Sequence, residues 1–241
     1  MIRTFFAALF AVLFLLISYP IFLVEWMIGK FDKQKKDYSC LRVIQWAIRV
    51  VFWISGTKLT VIGKENIPDE AALYVANHRG IFDIMVMYAN CERITGFVAK
   101  KELQKIPSLR VWMKHIYCLF LDRNDIKDGM RVILQAIDYV KQGISIGIFP
   151  EGTRNTGEEL SILPFKEGSF KIALKTGCPI VPVAINNTAA AFENHAPWIK
   201  KTHITVEYKA PIYPKDLSKD EQKVIGATCQ QIIEETIRKN A

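Results

Sequence analysis

"VANHRGIFD", residues 75–83, is the stretch where an apolar run gives way to a turn and then to helical spacing. Taken with the "ALY" before it, the pattern predicts a strand ending at Ala76 and a helix beginning near Ile81. Asn77–Gly80 then form the turn between them. The same step recurs on both sides. "KLTVIG" (58–63), "ITGFVA" (94–99), "ISIGIFP" (144–150), "PIVPVAI" (179–185) and "HITVEYK" (203–209) read as strands. "DGMRVILQAIDYVKQG" (128–143, stopping at Gly143), "KEGSFKIALKTG" (166–177) and "KDEQKVIGATCQQIIEETIRKN" (219–240) read as helices. Alternation of this kind predicts an α/β fold, a largely parallel central sheet flanked by helices.

The turn matters chemically because ligands of open α/β sheets bind at the carboxyl ends of strands. His78 and Asp83 lie five positions apart, about 140° of rotation on a straight helix, so they could not meet there. If His78 lies in the turn, its ring can fold back over the first helical turn toward Asp83. The carboxylate would then fix the tautomer and leave the other ring nitrogen as a base. The spacing alone fits a second reading equally well, with His78 capping the helix and Asp83 a solvated first-turn acid.

Composition narrows the class of protein. Of 241 residues, 50% are hydrophobic and 23% charged, which suits a packed core and argues against wholesale disorder. The formal charge of +8 suits nucleic acid, anionic lipid or a phosphorylated substrate. The basic residues show no aromatic-interleaved stripe, so nucleic acid is the poorest of these partners. Five cysteines without a short pairing interval imply neither a disulfide framework nor a zinc ribbon. Four histidines without an H-x₃₋₅-H pair imply no metal site.

The first 56 residues differ in kind. "FFAALFAVLFLLISYPIFLV" (5–24) carries no charge and would rise about 30 Å as a helix, enough for a hydrocarbon core. Pro20 is expected to kink this helix or end it early. "LRVIQWAIRVVFWIS" (41–55) places Arg42, Gln45 and Arg49 on one face and adds Trp46 and Trp53. Such a helix either sinks partly into an anionic leaflet or docks on the following domain with its arginines in water. The connection "GKFDKQKKD" (29–37) holds Lys30, Lys33, Lys35 and Lys36, which puts it and the domain after it on the cytoplasmic side. The first segment then spans with Met1 outside, or forms half of a membrane-embedded hairpin. The expected division is 1–56, membrane-associated helices, and 57–241, a catalytic α/β domain. One motif is set aside. "GISIG" (143–147) has the form G-x-S-x-G, but a helix precedes it and a strand follows, the reverse of a nucleophile elbow. Ser145 is expected inside a buried strand.

"NHRGIFD" (77–83) resembles the N-H-x₄-D block of the glycerolipid acyltransferases, specifically the 1-acylglycerol-3-phosphate O-acyltransferases. Three further blocks follow in that family's order: "FVAKKELQKIP" (97–107) closed by "LFLDR" (119–123), "FPEGTR" (149–154) and "VPVAI" (181–185). The resemblance implies fatty acyl transfer from a thioester to the sn-2 hydroxyl of lysophosphatidic acid, with His78 as base and Asp83 orienting it. It assigns Glu151, Gly152, Thr153 and Arg154 to acceptor binding, and Lys100 and Arg123 to the phosphate. Lys100, next to Lys101, also reads as an ordinary solvated lysine. Glu151 would orient a glycerol hydroxyl or a neighbouring arginine, and "VPVAI" would be sheet core. No cofactor is implied beyond acyl-CoA or acyl carrier protein as co-substrate, and the bilayer is the expected partner. The chain departs from the family pattern at Pro107, which "SLRVWMK" follows, and at Tyr117 and Cys118, where glycine is common. Other acceptors, such as glycerol 3-phosphate or a larger lysophospholipid, remain open alternatives. So does a non-catalytic anionic-lipid-binding protein.

Overall fold

Residues 1–241 are described by a computed structural model. In chain order the elements are α1 (Ile2–Phe31), α2 (Lys33–Ser55), β1 (Lys58–Ile62), β2 (Leu73–Ala76), α3 (Ile81–Asn90), β3 (Thr95–Lys100), α4 (Pro107–His115), β4 (Leu119–Leu121), α5 (Ile126–Lys141), β5 (Ser145–Ile148), α6 (Lys171–Thr176), β6 (Ile180–Asn186), β7 (His203–Tyr208), α7 (Lys219–Lys223) and α8 (Ile225–Lys239). The strands form one sheet in the order β1-β7-β6-β2-β5-β3-β4. Every pairing is parallel except β6 with β7. The expected largely parallel α/β sheet is what the chain forms.

β2 lies at the centre, and all four of its residues are buried. Period-two alternation sends them to opposite faces. Tyr74 and Ala76 join a core with Leu41, Ile48 and Phe52 of α2, Phe82 and Val86 of α3, and Trp112 of α4. Leu73 and Val75 face the other core, with Val132 and Ala136 of α5, Ile172 of α6 and Ile233 of α8. The crossover from β2 to β3 therefore runs over one face and that from β5 to β6 over the other. The reversal opens a crevice at the carboxyl ends of β2 and β5, where such sheets hold ligands.

The N-terminal helices correct several expectations. Pro20 neither ends α1 nor shortens it; the helix runs on to Phe31, and Asp32 alone separates it from α2. The lysine-rich stretch is thus helical on both sides of a one-residue hinge. Asp32 caps α2 by accepting from the Lys35 N–H at 2.9 Å. α1 is tied to the rest of the molecule along its length. Thr4 Oγ1 accepts from the Ile199 N–H (2.8 Å), the Leu15 carbonyl from Ser108 Oγ (2.8 Å), and Ser18 Oγ from Trp112 Nε1 (2.6 Å). Its outer side still exposes Phe5, Leu16, Ile17, Leu23 and Trp26. On α2, Arg42, Arg49, Trp46 and Trp53 face outward, but Gln45 does not share their edge. It is buried, and its amide donates to the carbonyls of Tyr88 and Cys91, closing the end of α3. α4 and β4 have no counterpart in the predicted elements, and the final helix breaks at Val224 into α7 and α8.

Ser145 opens β5, fully buried, and its Oγ accepts from the Ala72 N–H at 3.2 Å. Ser145→Ala leaves that amide without an acceptor, so urea unfolding should show a loss of about 1–2 kcal/mol.

Candidate active site

The turn after β2 is pinned before the helix begins. Asn77, buried, donates from Nδ2 to the Ile185 carbonyl and accepts the Ile185 N–H at Oδ1, both at 2.9 Å. Its side chain thereby extends the β2–β6 ladder by one rung and aims the next residue out of the sheet. His78 Nδ1 then lies 2.7 Å from Asp83 Oδ2. The same oxygen accepts from the backbone N–H groups of Arg79 (2.6 Å) and Gly80 (2.7 Å), and Thr188 Oγ1 donates to Oδ1. Four donors converge on one carboxylate, so the ring itself must donate from Nδ1. Nε2 makes no hydrogen bond to the protein. The imidazole is further fixed by stacking on Phe149, with centroids 4.3 Å apart.

Glu151 stands behind this turn and does not reach outward. It is buried; Oε1 accepts from the His78 N–H (2.6 Å) and Oε2 from the Leu163 N–H (2.9 Å). The expected contact with a glycerol hydroxyl or an arginine gives way to a brace between the loop after β5 and the histidine turn. Burial raises its carboxyl above the usual value, and the two backbone donors oppose that rise. The Asn155 N–H, donating to the His78 carbonyl at 2.8 Å, adds a second brace.

The predicted cations lie at strand ends or in the loops that follow β3, β4 and β5. Arg154 is half exposed and pairs with Glu193 at 3.3 Å. Arg123 lies close enough to Arg154 to feel its charge; partial burial and that like charge hold its guanidinium below the usual value. Lys100 points to solvent beside Glu102 (3.6 Å), and Thr153 is exposed. Gly152 takes a left-handed conformation (φ 74°), and a Cβ there would fall 2.5 Å from Lys166 Nζ. The glycine thus admits a further lysine over the turn.

Sequence reasoning missed Asn77, Thr188, Lys166 and Glu193 as parts of this site. Asn77 stood in the quoted motif beside its histidine. The others lie outside the four blocks and carry no local signal. The cysteines contribute no nucleophile: burial pushes the thiols of Cys91 and Cys229 up to about 12 and raises those of Cys118 and Cys178.

A buried carboxylate thus steadies an imidazole on the turn at the carboxyl end of β2. The family model described as Acyltransferase matches residues 58–186, more than half of the chain, and the chain belongs to that family. It is similar to the 1-acyl-sn-glycerol-3-phosphate acyltransferase of Borreliella burgdorferi, 36% identical over 142 residues, 58% of this chain and 56% of that protein. The Escherichia coli protein of the same name is 32% identical over 170 residues, 69% of this chain and 66% of its own length. These matches span between half and two thirds of the relatives. Among solved structures, the 1-acyl-sn-glycerophosphate (LPA) acyltransferase PlsC of Thermotoga maritima superposes with a TM-score of 0.85 at 26% identity, covering 98% of this chain and 94% of that one.

Glu151→Gln replaces an oxygen that accepts by an amide that cannot, stranding one of two backbone donors. Denaturant unfolding should lose about 1–3 kcal/mol, and amide exchange at His78 or Leu163 should accelerate.

Proposed function

We propose that this chain transfers a fatty acyl group from an acyl thioester to the sn-2 hydroxyl of 1-acyl-glycerol 3-phosphate, forming phosphatidic acid in phospholipid biosynthesis. The observation that carries this reading is the His78–Asp83 pair, with Nδ1 engaged at 2.7 Å and Nε2 without a protein partner. The names of the relatives support the substrate class.

The geometry supports the following chemistry. A lipid alcohol is a weak nucleophile near neutral pH, so Nε2 takes its proton while the oxygen attacks the thioester carbonyl. The new imidazolium is stabilised by Asp83. When the tetrahedral adduct collapses, the C–S bond breaks and the imidazolium returns its proton to the departing thiolate. The ester bond forms directly, with no acyl-enzyme. Arg123 and Arg154 hold the acceptor phosphate, and Lys100 reaches it by leaving Glu102. Gly152 and Thr153 present the turn between them, and Glu151 stiffens it from behind. The reaction as written needs only acyl-CoA or acyl carrier protein as co-substrate.

Residues 1–56 serve as the membrane-associated part and residues 57–241 as the catalytic domain. α1 is long and apolar enough to cross a bilayer by length and composition. Its ties at Thr4, Leu15 and Ser18 favour a helix embedded from one side, because carrying Met1 across would break all three. The lysines around Asp32 favour the cytoplasmic face.

His78→Ala should lower kcat by at least about 10²-fold while binding to anionic vesicles persists; unchanged turnover would point instead to a lipid-binding role. In an acceptor panel, lysophosphatidic acid should outrun glycerol 3-phosphate and lysophospholipids with larger headgroups. Arg123→Ala should raise the acceptor KM by roughly tenfold or more, the size of one charge-assisted contact.

A further inference from the structure

The short turn Glu193–His195, beyond the last family block, sends one carboxylate into the site. Glu193 Oε1 accepts from the Ile81 N–H, the first amide of α3, at 2.7 Å, and pairs with Arg154 Nη1 at 3.3 Å. This is the only ion pair that Arg154 makes. Glu193 Oε2 is buried with no partner. Space for the carboxylate exists because residue 80 is glycine; a Cβ there would lie 2.3 Å from Oε2. One carboxylate therefore touches both the helix that carries Asp83 and the arginine at the mouth. The segment that delivers it also delivers Thr188 to Asp83.

We propose that Glu193 is a positioning residue for the acceptor. By holding one edge of the Arg154 guanidinium against the first turn of α3, it sets the distance between a phosphate gripped by Arg154 and the open nitrogen of His78. Arg154 makes no other side-chain contact of this kind and is half exposed. A free arginine at this place would sweep many rotamers and lose much of that orientation on every binding event. The inference rests on Arg154 contacting the acceptor, as the proposed function has it.

The test is a double-mutant cycle on the full chain in lysophosphatidic acid micelles, with Glu193→Ala, Glu193→Gln, Arg154→Ala and the Glu193→Ala/Arg154→Ala pair. Glu193→Gln keeps an oxygen for the Ile81 amide, so its melting temperature should match the parent and its acceptor KM should rise a few-fold. Glu193→Ala should raise that KM roughly tenfold with a smaller change in kcat. In the Arg154→Ala background, Glu193→Ala should add nothing, because the group it acts through is gone. Full additivity would overturn the inference and reduce Glu193 to a helix cap. A lowered KM in either single variant would overturn it too, since the carboxylate would then be competing with the phosphate. If Glu193→Ala fails to fold, an unchanged KM in Glu193→Gln overturns it alone. An unchanged KM in Arg154→Ala would instead sink the assignment of Arg154 to the acceptor, a separate failure.

Discussion

Asp83 is a carboxylate with no measurable contact with water. A buried charge is tolerated only when its lone pairs are filled by donors. Two of those donors are backbone amides of its own turn, one is a histidine ring, and one is a hydroxyl from beyond β6. The shape of residues 78–83 therefore follows from the need to solvate one side chain without water. So does the loop after β6, which must return Thr188 to that place. The imidazole is held as one ligand of an anion, and its free nitrogen is a by-product of that coordination.

The remaining contacts prevent this cluster from drifting relative to the sheet. Asn77 fastens the turn to β6, and Glu151 and Asn155 fasten it to the loop after β5. These loops come from both sides of the crevice where the crossovers change face. Each brace uses a backbone group that would otherwise need a solvent partner, so positioning the site and satisfying buried amides are one task.

Much of this was legible in the chain. The strands and α3, α5, α6 and α8 are visible because each buries one face or all of itself, which leaves a period in the apolar residues. His78 and Asp83 are visible as a pair because the contact spans five residues and one turn. β4, with three residues, is too short to show a period, and α4 mixes Ser108, Arg110 and Lys114 into nine residues. Pro20 is a poor stop signal here because packing against α2 and α4 holds the helix that the missing amide weakens. Gln45 looks like a surface residue until the open carbonyls ending α3 are placed next to it. Thr188 and Glu193 meet the site across more than a hundred residues of chain, a relation that local pattern does not carry.

The one antiparallel pairing in the sheet has an architectural effect. Since β7 runs against β6 and β1 runs with β7, β1 starts at the edge where β2 finishes. The chain leaving α2 thus enters the sheet at the same rim as the histidine turn, three strands along, and not at the opposite rim. Had β7 followed its neighbours, the same helices would open about 15 Å away, the length of a five-residue strand. Two strands reversed at one edge thus bring the end of α2 and the histidine turn to a common rim, with no added length of chain to join them.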